Sequence, residues 1–325
     1  MMRESCLPNF RKGLKFIIGW ILLLLALTSM AGCGGGGGGG SAVSPYAGWI
    51  TFVSNRNNSS ALEVFVMDAS GGHQQRVFAA GGANPGCCVF PVWSPDFRKI
   101  AFSDFSFSSG QPTNIYVVNP DGSGLKALTS NMNTCACPAW SPDGKKIAFV
   151  SNSGGAVNIW IINSGDGGGA ANLTMGGYSN CYYPSWSPDG AKIVFMAAQS
   201  SKSQLFIIDV NTKTVTKLID DTGHNYQYPA WSPDGGKIAF CSDRDSSGYY
   251  IYTINADGSG TPVKQTEVNS YFPHWSPDGN YLYFEYNNSG QYDVYRSRVI
   301  GSGDPMPEEN LTNGAPGTFN GFYES

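Results

Sequence analysis

Residues 138–150 read PAWSPDGKKIAFV: a short apolar entry to Trp140, a reversal over Ser-Pro-Asp-Gly, and a second apolar run from Ile147. Proline presets φ for the first turn position and glycine tolerates positive φ, so residues 141–144 fold the chain back between two strands. The PxWSPD frame occurs five times, with its tryptophan at Trp93, Trp140, Trp186, Trp231 and Trp275 and spacings of 47, 46, 45 and 44 residues. A steady period in the forties marks a repeat architecture, in which one supersecondary unit stacks on copies of itself.

The order within each period is constant. One apolar strand follows the turn (100–102, 147–150, 193–196, 238–240, 281–284) and a second follows that (115–118, 159–162, 205–208, 250–254, 294–295). The period closes on a segment such as LKALT at 125–129, and turns such as NPDGSG at 119–124 lead into it. With the strand entering the tryptophan, each repeat has four strands. The two middle strands are apolar at consecutive positions, as in IYVV at 115–118, so both of their faces must be covered. Radial stacking of four-stranded blades covers them, with the tryptophan packed between blades.

Counting strands gives the number of blades. Three strands of an unmatched repeat precede Trp93 (49–53, 63–67, 76–79), and one aromatic segment, 318–323, follows Thr312 where a sixth tryptophan would fall. Three and one make a single blade. The expectation is an all-β, six-bladed β-propeller over residues 49–325, its ring closed by a C-terminal strand that completes the first blade.

The composition agrees: 42 glycines in 325 residues, 13 % aromatic and only 14 % charged, which suits a β-protein with many tight turns. The formal net charge is −4, and residues 1–32 hold Arg3, Arg11, Lys12 and Lys15 against Glu4, so the remainder carries −7. No basic cluster appears downstream, which argues against a nucleic-acid partner.

Residues 1–15 are basic, 16–27 form an apolar run broken only by Gly19, and 28–32 are mostly small, the three-part pattern of a secretory signal. The run is short for a spanning helix, which needs about 20 residues. Met30-Ala-Gly-Cys33 resembles the lipobox of bacterial lipoproteins, which implies lipidation of Cys33 after removal of residues 1–32. Residues 33–48, with seven glycines at 34–40, read as a flexible tether. An exported protein is expected, anchored by lipid to a membrane facing the periplasm or the cell exterior.

The extended pattern PxWSPDGxxIAF, then IYxxNxDGSGxxxLT, resembles the repeat of the TolB-type β-propellers over residues 49–323. Phe97 replaces the turn glycine in the first motif, and 209–214 and 304–309 replace the DGSG turn in two others. The family's namesake has an additional α/β domain before its propeller, for which this chain leaves no room; a TolB-type propeller that is not TolB itself is therefore expected. Peptidases with related propellers carry a hydrolase domain with GxSxG, a motif not found here.

In such a ring the loops at 54–62, 103–113 and 242–248 share one face, and the SPDG turns occupy the other. Loops on a rigid scaffold are the usual place for recognition. Five residues before each tryptophan stand Cys88, Cys135, Cys181, Tyr226 and Ser270, expected near the mouth of the central channel, with Cys87, Cys137 and His224 close by. Disulfides, free thiols and a metal stay open as readings: export favours disulfides, with Cys88–Cys137 or Cys137–Cys181 the easier pairs, while CxC at 135–137 is not zinc spacing. Only His73, His224 and His274 could serve as bases, and Asp96, Asp143, Asp189, Asp234 and Asp278 are accounted for as turn residues. The expectation is a monomeric binding scaffold for an envelope protein or peptide, without a cofactor or catalytic residues. The alternative, implied by related propeller lyases, is a metal-dependent lyase or hydrolase at the channel mouth.

Overall fold

The computed structural model describes residues 44–54, 63–68, 73–79, 87–105, 113–130, 132–175, 177–245, 248–288, 291–299 and 308–310, and among these there is no helix. Six antiparallel sheets follow one another along the chain, as the period demands. Blade I holds β1 (Ile50–Ser54), β2 (Glu63–Met67) and β3 (Gln75–Phe78). Blade II holds β4 (Cys87–Trp93), β5 (Ile100–Phe105), β6 (Ile115–Val118) and β7 (Lys126–Ala127). Blade III runs through β8 (Cys135–Trp140), β9 (Lys146–Ser151), β10 (Asn158–Asn163) and β11 (Ala171–Asn172). Blade IV is β12 (Ser179–Trp186), β13 (Lys192–Gln199), β14 (Lys202–Asp209) and β15 (Val215–Lys217). Blade V is β16 (Tyr226–Trp231), β17 (Lys237–Ser242), β18 (Tyr250–Asn255) and β19 (Val263–Lys264). Blade VI is β20 (Ser270–Trp275), β21 (Tyr281–Asn288), β22 (Gln291–Arg298) and β23 (Glu309–Asn310). The innermost strands β4, β8, β12, β16 and β20 each touch the next, giving the six-bladed β-propeller. The expected closing strand, 318–323, lies outside the described residues.

The second strand of blades II to V is buried on both faces, which is why it is apolar at successive positions. Phe102, Phe149, Phe195, Phe240 and, in blade VI, Phe284 occupy one repeated position of this strand, each with no exposed surface. The tryptophans join the blades. Trp140 Nε1 donates to Val92 O at 3.2 Å, Trp186 Nε1 to Ala139 O at 3.1 Å and Trp275 Nε1 to Ala230 O at 3.0 Å, each acceptor lying one blade back. Blade V differs: Trp231 Nε1 donates to Gly235 O in its own turn, while its backbone N–H donates to Ser185 Oγ of blade IV.

The turn aspartates are structural. Asp143 Oδ1 accepts from Ser141 Oγ at 2.6 Å and from Lys145 N at 3.0 Å, and Ser141 Oγ accepts from Lys146 N at 2.9 Å. The same serine–aspartate bond recurs at Asp96, Asp189, Asp234 and Asp278. The serine hydroxyl holds Asp143 below the ordinary carboxylate range.

One segment read from sequence as tether belongs to the propeller. Residues 44–48 form the reversal of blade I: Ala47 N donates to Ser44 O at 3.1 Å, as Gly144 N does to Ser141 O in blade III. Ser-Pro-Tyr-Ala lacks both the aspartate and the glycine of the motif, which hid the correspondence. Its aromatic side chains pack on blade II, with Tyr46 stacked on Trp93 at 6.0 Å and Trp93 against Phe97 at 5.8 Å. Phe97 keeps the left-handed backbone of the glycine it replaces (φ 55°, against 68° at Gly144), held there by this aromatic packing.

Candidate functional site

The innermost strands share a feature that decides what the centre of the ring can do. In each of β4, β8, β12, β16 and β20 the register slips by one residue just before the tryptophan: Ala136 faces Val150 but Ala139 faces Ala148, so two residues oppose Phe149 alone. The same bulge lies between Val89 and Val92, Tyr182 and Ser185, Gln227 and Ala230, and Tyr271 and His274. Its first residue is left-handed although it is not glycine: Phe90 (56°), Cys137 (53°), Tyr183 (53°), Tyr228 (53°) and Phe272 (52°). Non-glycine residues are uncommon there, and bulges of this kind re-aim a side chain.

These side chains meet at the axis. Tyr183 lies 6.2 Å from Phe90 of blade II, 4.7 Å from Tyr228 of blade V and 6.0 Å from Phe272 of blade VI, and Tyr228 and Phe272 are 4.0 Å apart. Rings from blades II and IV, and from IV and VI, touch past the blade between them only by crossing the channel. Blade III contributes the small Cys137, which leaves room for Phe90 to reach Tyr183. The four rings, all half-buried, form an aromatic collar across the channel. Burial pushes the Tyr228 hydroxyl far above its ordinary range, with Cys241, Glu285, Tyr249 and Tyr271 adding to the shift.

The bulge also relocates the aligned cysteines. Without it, residues five positions apart would point to opposite faces of the strand; with it, Cys135 shares the blade II–III joint with Trp140, and Cys181 shares the III–IV joint with Trp186. Cys135, Cys181 and Tyr226 have no exposed surface, so this position lines the joints between blades and not the channel mouth. Cys135, Cys181 and Cys241 are free thiols, and the offset pair Cys137–Cys181 is therefore not formed. Burial raises Cys135 and pushes Cys181 up to about 11. Cys87 and Cys88 open β4, paired in register with Phe105 and Asp104. Cys33 lies outside the described residues. No group of three or more His, Cys, Asp or Glu among the described residues is placed to hold a metal.

His224 belongs to a braced polar station on the loop face of blades IV and V. Asp221 Oδ2 accepts from Tyr226 Oη at 2.7 Å and from His224 Nδ1 at 2.9 Å, and Asp221 Oδ1 accepts from Gly223 N at 2.7 Å. These bonds, led by that from Tyr226, hold the Asp221 carboxyl well below its usual range, which makes it a weak base. Asn225 donates twice to Asp243, from its backbone N–H and its Nδ2, both at 2.7 Å. Gln204 Nε2 donates to His224 O at 2.8 Å. Each carboxylate is engaged internally, so the station shapes a surface instead of supplying a free acid or base.

On the opposite face a cleft of about 440 Å³ lies between the turns of blades III and IV, beside Pro142, Asp143, Trp186 and Pro188. At the I–II joint the equivalent positions carry Tyr46, Trp49 and Phe97, whose rings pack around Trp93. The collar itself was missed from sequence. Its signal is the residue before the repeated proline, Phe90, Cys137, Tyr183, Tyr228 and Phe272, aromatic in four of five copies.

Comparison with known proteins agrees with this geometry. The family model described as TolB beta propeller domain matches residues 40–183 and 181–307. The Tol-Pal system protein TolB of Syntrophus aciditrophicus (strain SB) is 38 % identical over 81 residues, 25 % of this chain and 17 % of that protein. The crystal structure of TolB from Acinetobacter baumannii superposes with a TM-score of 0.64 at 20 % identity, covering 78 % of this chain and 62 % of that one. A putative TolB from Agrobacterium tumefaciens gives 0.61 at 23 % identity over 73 % and 83 %. An oligogalacturonate lyase from Vibrio parahaemolyticus shares the fold at 13 % identity with a TM-score of 0.54. The chain thus spans less than two thirds of the first two relatives. With a family model over most of its length and the repeat geometry in hand, the chain belongs to the TolB β-propeller family.

Proposed function

We propose that this chain is a membrane-tethered binding scaffold of the cell envelope, which recognises a protein or peptide through the loop face of its propeller. The observation that carries this reading is the bracing of that face. Asp221, Asn225 and Asp243 fix the loops of blades IV and V by side-chain hydrogen bonds, while the collar lies across the channel below them. A preorganised surface loses little freedom on binding, and its tyrosines, Tyr249 and Tyr271 among them with rings 5.5 Å apart, are of the type enriched at interfaces. The sequence supports attachment through Cys33 and export by residues 1–32. Photo-crosslinking groups at His224 on the loop face and at Lys145 on the turn face, used in intact envelopes, test the reading. Specific adducts from His224 alone support it, and adducts from neither face, or from Lys145 alone, remove it.

A further inference from the structure

The place where the chain enters the ring limits which face a tethered propeller can present. Ser44 stands in the blade I reversal where Ser141 stands in blade III, and its Oγ donates to Phe97 O of the next reversal at 2.8 Å. Tyr46 and Trp49 pack edge to face at 5.0 Å beside Trp93. Residues 1–43 therefore join the propeller on the turn face, at the end of β1 nearest the inner strands.

From there the loop face is far away. The channel would be the short route, and the collar of Phe90, Tyr183, Tyr228 and Phe272 lies across it. The outer route crosses the three strands of blade I to the rim, ~14 Å, and then climbs the height of a five-residue strand, ~17 Å. That path of ~31 Å ends before the loops are cleared. Ser44 lies eleven chain steps after Cys33, and their full extension is ~36–40 Å. A glycine-rich chain of this length typically spans ~17–20 Å end to end, so the loop face could lie on the anchoring bilayer only with the tether drawn out well beyond that.

We infer that the turn face is the membrane-proximal side and that the loop face is held away from the bilayer, toward a protein partner approaching through the aqueous space. This rests on the tethering reading above. The test uses the full chain purified from membranes and mixed with phosphatidylethanolamine–phosphatidylglycerol vesicles that carry a headgroup quencher. A fluorescent amino acid replaces either Lys145 on the turn face, 81 % exposed, or Met175 on the loop face, 68 % exposed. Unchanged melting shows that each labelled protein is folded. The expected result is several-fold stronger quenching at 145 than at 175. Equal or reversed quenching of protein that floats with the vesicles overturns the orientation alone and points to a lipid-binding loop face. Protein that does not float overturns the tethering reading and the orientation with it.

Discussion

The indole Nε1 of Trp186 donates to the carbonyl of Ala139, one blade back, at 3.1 Å. Trp186 is 8 % exposed, so the bond and the packing act together at the III–IV joint. Trp186→Phe removes the donor and keeps most of the apolar contact, with an expected cost of about 1 kcal/mol. Trp186→Ala removes both, at about 3–5 kcal/mol. Urea denaturation of the two variants measures the difference, and a Trp186→Phe variant as stable as the parent would show that the hydrogen bond contributes nothing.

Trp93 is buried with no exposed surface, and its Nε1 has no hydrogen-bond partner among the described residues. In its counterparts at 140, 186 and 275 the acceptor belongs to the innermost strand of the preceding blade. For Trp93 that strand is the one expected from 318–323. Deleting 318–325 should lower the melting temperature by several degrees and reduce cooperativity, because the inner edge of β1 would be left unpaired. A truncated protein with the parent's melting curve would count against closure by the C-terminus.

Tyr183 touches three other rings of the collar from a backbone at φ 53°. Tyr183→Ala should destabilise the fold by about 2–4 kcal/mol through lost aromatic contacts. Tyr183→Gly should be less harmful than Tyr183→Ala, by about 1 kcal/mol, because glycine adopts this conformation without a Cβ penalty. That order is the reverse of the one for an ordinary strand position, so chemical denaturation of the pair reads the left-handed backbone directly.

Asp221 is held below its ordinary range chiefly by Tyr226 and then by His224. A carboxyl with a depressed folded value stabilises the protein fully above its unfolded value of about 4, and this contribution is lost as pH falls through the folded value. Thermal melts from pH 6 down to pH 2 should therefore fall more steeply for the parent than for Asp221→Asn. Parallel curves would mean that the carboxylate is not the acid-sensitive brace of this loop.

Cys181 is pushed up to about 11 and Cys241 well above its ordinary value, both by burial. At pH 8 the thiolate fraction of Cys181 is about one in a thousand, and the thiolate is the reactive form. Cys135, Cys181 and Cys241 should stay silent toward a disulfide reagent in the native protein and react at once in denaturant. Prompt reaction of all three without denaturant would contradict their burial in the blade joints.

The repeat was legible because its causes are local. Proline and glycine in the SPDG turn, the period of the tryptophans and the doubly apolar middle strands each act within a few residues, and together they determined the four-stranded blade and the count of six. The aspartates at 96, 143, 189, 234 and 278 were readable as turn residues for the same reason. What the sequence did not disclose depends on register. A strand read by strict alternation puts Cys135 and Cys137 on one face; the bulge at Cys137 breaks that phase and sends Cys135 into the joint with Trp140. The collar arises in the same way, since Phe90, Tyr183, Tyr228 and Phe272 are widely separated in sequence and converge only once the ring has closed around them. The entry reversal of blade I, 44–48, reads as tether because Tyr46 stands where the other reversals have aspartate, and only its packing on Trp93 reveals the equivalence. Local turn chemistry and periodicity thus determined the architecture, whereas the tertiary structure decided what faces the axis, because a one-residue slip in pairing inverts every side chain beyond it.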